Sequence, residues 1–151
     1  LTYPLHDSMH RFVRKLNRLY LEEPSLWRRD HQPDGFAWID VNNAAQSVLS
    51  FIRKGGALDP PVVAVCNFSR RTYEAFRIGV PRAGVYRLKL NSDESDFGGS
   101  GLAIPAEIEA EKCPMHGQPY SVEMPLPALA ILIWSAPVEL PLDIEADETS
   151  H

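Results

Sequence analysis

The chain reads as a mainly β protein, an antiparallel β-sandwich preceded by one amphipathic helix. Three observations predict it. From Phe36 onward, short β-branched and aromatic runs alternate with turn residues every ~8–12 positions, the spacing of a sandwich or barrel. Within one of those runs Tyr86, Leu88 and Leu90 alternate with Val85, Arg87 and Lys89, so one face of the strand meets a core and the other meets water. Before Phe36 the period changes to three and four, the period of a helix.

The helix is carried by Met9, Phe12, Val13, Leu16, Leu19 and Tyr20, with Arg11, Arg14, Lys15 and Arg18 filling the other face. Asp7 or Ser8 is placed to cap its start by accepting an orphan backbone N–H, and Pro24 stops it by removing a donor. Burying the six apolar side chains stabilises by about 1.5–3 kcal/mol each before ordering entropy is subtracted. A β domain beside a single helix covers only part of such a stripe, so a larger neighbour is expected.

Strands are predicted over 36–40, 47–53, 62–67, 72–78, 84–90, 104–111, 120–124 and 128–134. Gly55-Gly56, Pro60-Pro61, Pro81-Arg82-Ala83-Gly84 and Gly98-Gly99-Ser100-Gly101 supply the bends between them. The unbroken apolar runs Val62-Val63-Ala64-Val65-Cys66 and Leu129-Ala130-Ile131-Leu132-Ile133-Trp134 read as central strands buried on both faces. No internal repeat is evident. The organisation is therefore 1–34 helix and linker, 35–137 β domain, and 138–151 an acidic tail too poor in large apolar side chains to order.

Composition narrows the function. The chain has 151 residues, 44% of them hydrophobic, enough for one domain with a real core. The formal charge of -5 comes from Glu139, Asp143, Glu145, Asp147 and Glu148 in the tail; without them acids and bases balance. A neutral body lacks the clustered cations that nucleic acid or an anionic membrane requires, while neutral polymers remain open as partners. Cys66 and Cys113 are expected as reduced thiols. Asn67-Phe68-Ser69 spells a glycosylation acceptor that matters only in a secreted chain. The longest apolar run, Leu126 to Pro137, is too short to cross a bilayer, and no signal peptide precedes the domain, so a cytoplasmic location is expected.

No catalytic constellation is found. Glycoside chemistry needs two carboxyl groups facing each other about 5–9.5 Å apart with different pKa values, whereas Asp93, Glu94 and Asp96 read as a solvated turn. His6 and His10 are four apart, yet no further ligand completes a metal site with them. His116-Gly117 reads as a turn in which the imidazole satisfies backbone groups. Gly98-Gly99-Ser100-Gly101 lacks the Gly-Lys ending of a phosphate loop and reads as a hairpin or bulge turn. No cofactor is expected. Sugar can instead be held by aromatic rings stacked on its apolar faces, and Trp27, Trp38, Tyr73, Tyr86, Phe97 and Tyr120 are the candidate rings. Trp38, Trp27 and Tyr86 are the candidates for glucan binding, Trp38 first, because alternation puts Phe36, Trp38 and Asp40 opposite the core-facing Ala37 and Ile39.

Several words in this sequence occur together and in order: Phe36-x-Trp38-Ile39-Asp40, Ser47-Val48-Leu49-Ser50-Phe51-x-Arg53, Cys66-Asn67-Phe68, Phe76-Arg77-Ile78-Gly79-Val80-Pro81, Leu90-Asn91-Ser92-Asp93 and Gly98-Gly99-Ser100. From Leu5 to about Pro137 the chain resembles the C-terminal region of the glycogen (1,4-α-glucan) branching enzymes of the α-amylase superfamily, whose last domain is an all-β sandwich. It departs from the family pattern at Ser69-Arg70 and at Leu102-Ala103-Ile104. Pro4-Leu5-His6 followed by Leu16-Asn17-Arg18-Leu19-Tyr20 is similar to the last helix of that family's catalytic (β/α)8 barrel. The resemblance implies an enzyme that cleaves an α-1,4 bond and rejoins the segment as an α-1,6 branch by a retaining mechanism. It also implies that the catalytic carboxylates belong to barrel strands with no counterpart here. The chain is then an accessory domain, inactive alone, whose partner is the barrel. The other readings are a stand-alone carbohydrate-binding module and, without the paired-cysteine and tryptophan spacing, an immunoglobulin-type interaction domain.

Overall fold

A computed structural model of the chain describes residues 4–28, 33–40, 45–56 and 59–138, with the side chains of 4–6 and 33 left aside. Helix α1 (Pro4–Glu22) leads into a short 3₁₀ turn at Pro24–Leu26 and another at Pro33–Gly35. Eight strands follow: β1 (Phe36–Asp40), β2 (Val48–Arg53), β3 (Val62–Asn67), β4 (Tyr73–Val80), β5 (Val85–Asn91), β6 (Glu107–Glu109), β7 (Tyr120–Leu126) and β8 (Ile131–Ser135). A six-stranded sheet runs β1-β2-β3-β8-β5-β6, a two-stranded sheet pairs β4 with β7, and every pairing is antiparallel.

The two sheets close on one core. Val63, Val65, Tyr86, Leu132 and Trp134 of the large sheet meet Phe76, Ile78, Val122, Met124 and Leu126 of the small one. On the other face of the large sheet Val62, Ala64, Leu90 and Ile133 pack against Leu19 of α1, with Phe12 and Phe97 at the margin. This explains why β3 is apolar from Val62 to Cys66: alternate residues serve two different cores, and all six residues of the strand, Asn67 included, are buried.

The structure corrects the helix start. Helical backbone already begins at Pro4, where a fixed φ suits the first turn and the missing N–H is no loss. Asp7 is therefore in the first turn, where its charge favours the positive end of the helix dipole, and Ser8 is a buried helix residue, not a cap. The stop is as expected: Glu23, ahead of Pro24, is extended (φ -111°, ψ 96°), the conformation a following proline imposes.

Three strand expectations also change. The strand over 104–111 shrinks to β6, because Pro105 has no donor and because Glu111 leaves the large sheet to exchange hydrogen bonds with Ser121 of the small one (2.8 and 3.0 Å). The last strand begins at Ile131; Leu129 sits in a turn with φ 52° and is exposed. A bulge between Leu88 and Leu90 breaks the alternation of β5, so Tyr86 and Leu88 face the small sheet while Leu90 faces α1.

The loop after β5 departs most from its sequence reading. Asp93 is buried, not solvated: it accepts hydrogen bonds from the backbone N–H of Ser100 (3.0 Å) and Leu102 (3.1 Å) and from the Ser100 hydroxyl (2.6 Å). Gly99 lies so close to the Asp93 backbone that any Cβ would collide with it. Glu94 and Asp96 are exposed as expected. The acidic residues from Glu139 onward lie outside the described residues.

Candidate functional site

β1 and β2 place three aromatic rings on the outer face of the large sheet. Their register sets Trp38 opposite Phe51 and Phe36 opposite Arg53. Phe36 stacks on Phe51 (centroids 5.2 Å apart, 26° between planes), and Trp38 stands edge-on to both, 4.9 Å from Phe36 and 6.1 Å from Phe51. Trp38 keeps 49% of its surface exposed. Its neighbour Ile39 is buried in the core, as alternation requires.

Asp40 does not share the Trp38 face. A register shift between Trp38 and Asp40 turns the strand over, and the Asp40 carboxylate instead lies 3.4 Å from His116 Nε2 on the small-sheet side. The His116 ring accepts the Gly79 N–H at Nδ1 (3.1 Å). That bond bears out the reading of His116 as a residue satisfying backbone within a tight turn, here Met115–Gln118 with positive φ at His116 and Gly117.

Trp27 follows the 3₁₀ turn and is also exposed, but the Arg28 guanidinium lies over its ring at 5.2 Å. Arg28 is in turn held by Asp59 at 2.7 Å. One residue earlier, the Leu26 carbonyl accepts from Arg53 Nη2 (3.1 Å), which ties this segment to the β2 end of the aromatic row.

Tyr86 cannot serve as a sugar platform in this fold. Its ring is fully buried between the sheets, its hydroxyl donates to the Arg82 carbonyl (3.0 Å) and accepts the Arg82 N–H (3.1 Å). Burial, partly offset by that hydrogen bond and by the Arg82 charge, pushes its phenol up to about 12. Alternation had placed Tyr86 correctly on the core face; the error lay in also asking it to be displayed. Phe51 is the member of the surface that sequence reading did not name, although it occupies an outward position of the alternating run Val48–Arg53; Phe36 was placed beside Trp38 but not offered as a candidate.

Other reactive groups are accounted for. Both cysteines are free, Cys66 buried, with its thiol pushed up by desolvation, and Cys113 exposed. The Asn67 amide donates to the Arg71 and Pro127 carbonyls (both 2.9 Å), and its oxygen accepts from Ser69, so the glycosylation word is folded into the core of a loop. Among the described residues no group of three His, Cys, Asp or Glu could hold a metal, and no helix is long and apolar enough to cross a membrane. His10 is exposed on α1; the His6 side chain lies outside the described residues.

The family model "Alpha amylase, C-terminal all-beta domain" matches residues 38–137, the span that starts at Trp38 and ends where the sandwich ends. The chain belongs to this family. Among relatives of this all-β domain, the 1,4-alpha-glucan branching enzyme of Geobacillus stearothermophilus is 42% identical over 131 residues, 87% of this chain and 20% of that enzyme. That of Burkholderia thailandensis is 46% identical over 137 residues (91% and 16%), and that of Desulfitobacterium hafniense 44% over 133 (88% and 21%). The chain thus spans about a fifth of the length of the relatives it matches.

Proposed function

We propose that this all-β domain is the C-terminal accessory part of a 1,4-α-glucan branching enzyme, packing through α1 against a catalytic barrel and steadying it. One observation carries the reading. On α1 Phe12 and Leu19 turn toward the large sheet and Ser8 is buried, whereas Met9, Val13, Leu16 and Tyr20, on an adjacent face of the helix, are exposed. At about 100° per residue Met9, Val13 and Leu16 form a second continuous apolar stripe that stays exposed. An amphipathic helix with two apolar faces has two neighbours to satisfy, and relatives five times as long supply a body for the second. No reacting carboxylate pair is assigned to this chain, so alone it is expected to show no branching activity.

The test is to mix the chain with a separately produced portion of the Geobacillus stearothermophilus enzyme lacking the matched region. Co-elution by size exclusion that is lost in the Val13→Asp, Leu16→Asp variant is the expected result; a mixture that never associates, or associates equally well with the altered stripe, would remove the proposal.

The Phe36, Trp38 and Phe51 rings favour a second role, guiding an α-glucan chain across the sheet, and equally the alternative of a stand-alone carbohydrate-binding module. Retardation in native gels containing glycogen checks it. The expected outcome is retardation that falls in Trp38→Ala; retardation indifferent to that change would discard the Trp38 assignment.

A further inference from the structure

We infer a second sugar-binding cleft at the end of the sandwich that carries the β4–β5 turn, built from Lys54, Arg82 and Tyr120 and separate from the Trp38 surface; the choice of an α-glucan as its ligand rests on the reading above. A cavity of about 500 Å³ opens there, floored by Pro61, Pro81 and Pro137 and edged by Lys54, Arg82 and the half-buried ring of Tyr120. A second cavity of about 300 Å³ shares Lys54, Pro61 and Arg82 with it and adds Asp34 and Asp59. Both lie within the size range of small-ligand sites, and they adjoin at Lys54, Pro61 and Arg82.

Its walls are set in advance. The buried Tyr86 hydroxyl clamps the Arg82 backbone from both sides, the Arg82 guanidinium donates to the Pro137 carbonyl (2.8 Å), and Gly84 at φ 110° lets Pro137 pack onto the turn. Asp59 is oriented by the Gly56 N–H (2.7 Å) and by Arg28. A cleft that is already ordered loses little entropy on binding.

The lining chooses the ligand class. Two cations and two carboxylates share the cleft, so an anion or a cation would meet repulsion as well as attraction. A neutral polyol meets no charge repulsion: its hydroxyls can donate to Asp34 and Asp59 and accept from Lys54 and Arg82 alongside the partners that Asp59 and Arg82 already hold, and its apolar ring faces can lie against Tyr120 and the prolines. An oligosaccharide fits that description.

Amide NMR of the whole chain titrated with maltoheptaose tests the assignment. The expected result is saturable shifts at Gly55, Gly56, Ala83 and Tyr120 that persist in Trp38→Ala. Affinity read at those amides should weaken about five-fold in Lys54→Ala, the loss of one hydrogen bond of about 1 kcal/mol, and more in Tyr120→Leu. Lys54 is exposed, so its variant keeps the test decisive even where Tyr120→Leu unfolds. Shifts confined to Phe36, Trp38 and Phe51 would overturn the second cleft and leave the Trp38 role standing. Cleft shifts of undiminished affinity in Lys54→Ala would overturn it as well, and a heptaose that moves no amide would overturn both glucan assignments.

Discussion

Removing one oxygen atom from Tyr86 probes how the β4–β5 turn is held. In Tyr86→Phe the Arg82 N–H and C=O each lose a partner 3.0–3.1 Å away, and the expected cost is about 1–3 kcal/mol by urea unfolding. The same phenol gives stability a pH dependence of known sign. Its folded value is raised to about 12 from 10.0, so the neutral form is the one the fold favours. The contribution is complete below pH 10 and is lost as pH rises through about 12, on the order of 2–3 kcal/mol in all. Denaturation midpoints from pH 8 to 12 should fall more steeply for the native chain than for Tyr86→Phe; parallel curves would contradict the assignment. Asp93 offers a companion case. Asp93→Ala leaves the Ser100 and Leu102 donors without their acceptor and should destabilise by about 2–4 kcal/mol, the range for several charge-assisted bonds lost together, whereas Asp93→Asn should retain part of them. Nothing local in Asn91-Ser92-Asp93 announces that burial. The carboxylate is dry because its donors arrive seven and nine residues later, a closure that depends on Gly99 fitting against the Asp93 backbone.

At the scale of elements, α1 makes the sharpest prediction because its two apolar stripes behave differently. Leu19→Ala removes a side chain buried against Val62, Ala64, Leu90 and Ile133 and should cost about 2–5 kcal/mol. Val13→Ala changes an exposed side chain and should stay within about 0.5 kcal/mol in the chain alone. Thermal unfolding of the two variants separates them, and equal effects would mean that the helix packs in another orientation. The helix, the strand order along the chain and the two-sided burial of β3 were legible in periodicity. The bulges at Ile39 and at Lys89 were not, since an extra residue in a ladder leaves the residue pattern intact while changing which face the next side chain takes. That is why Asp40 was placed beside Trp38 and turned out to face His116, and why Leu90 was grouped with Tyr86 and turned out to face α1.

For the whole molecule, the architecture is a helix on a six-stranded sheet on a two-stranded sheet, with a core on each side of the large sheet. The division of labour follows. The inner core joins the two sheets, and the outer core fastens to the large sheet a helix whose Met9, Val13 and Leu16, like Phe36 and Trp38, remain exposed. A branching assay on the isolated chain should read zero, and any measurable α-1,6 transfer would overturn the accessory reading. The fold also predicts that Asn67 stays unmodified if the folded chain is presented to a glycosylation system, because its amide is spent on two carbonyls; an intact-mass shift on folded protein would contradict the loop described here.

Hydrophobic period, turn chemistry and the ordered family words determined by themselves the class of this protein: an amphipathic helix ahead of an antiparallel β-sandwich. These are properties of neighbours along the chain, and side-chain alternation encodes them directly. Only the tertiary structure decided which rings stay wet, where Asp93 finds its donors, and that Lys54, Arg82 and Tyr120 share one cleft. Burial and proximity there depend on bulges and on loops far apart in sequence, and a two-residue or 3.6-residue period carries no record of either.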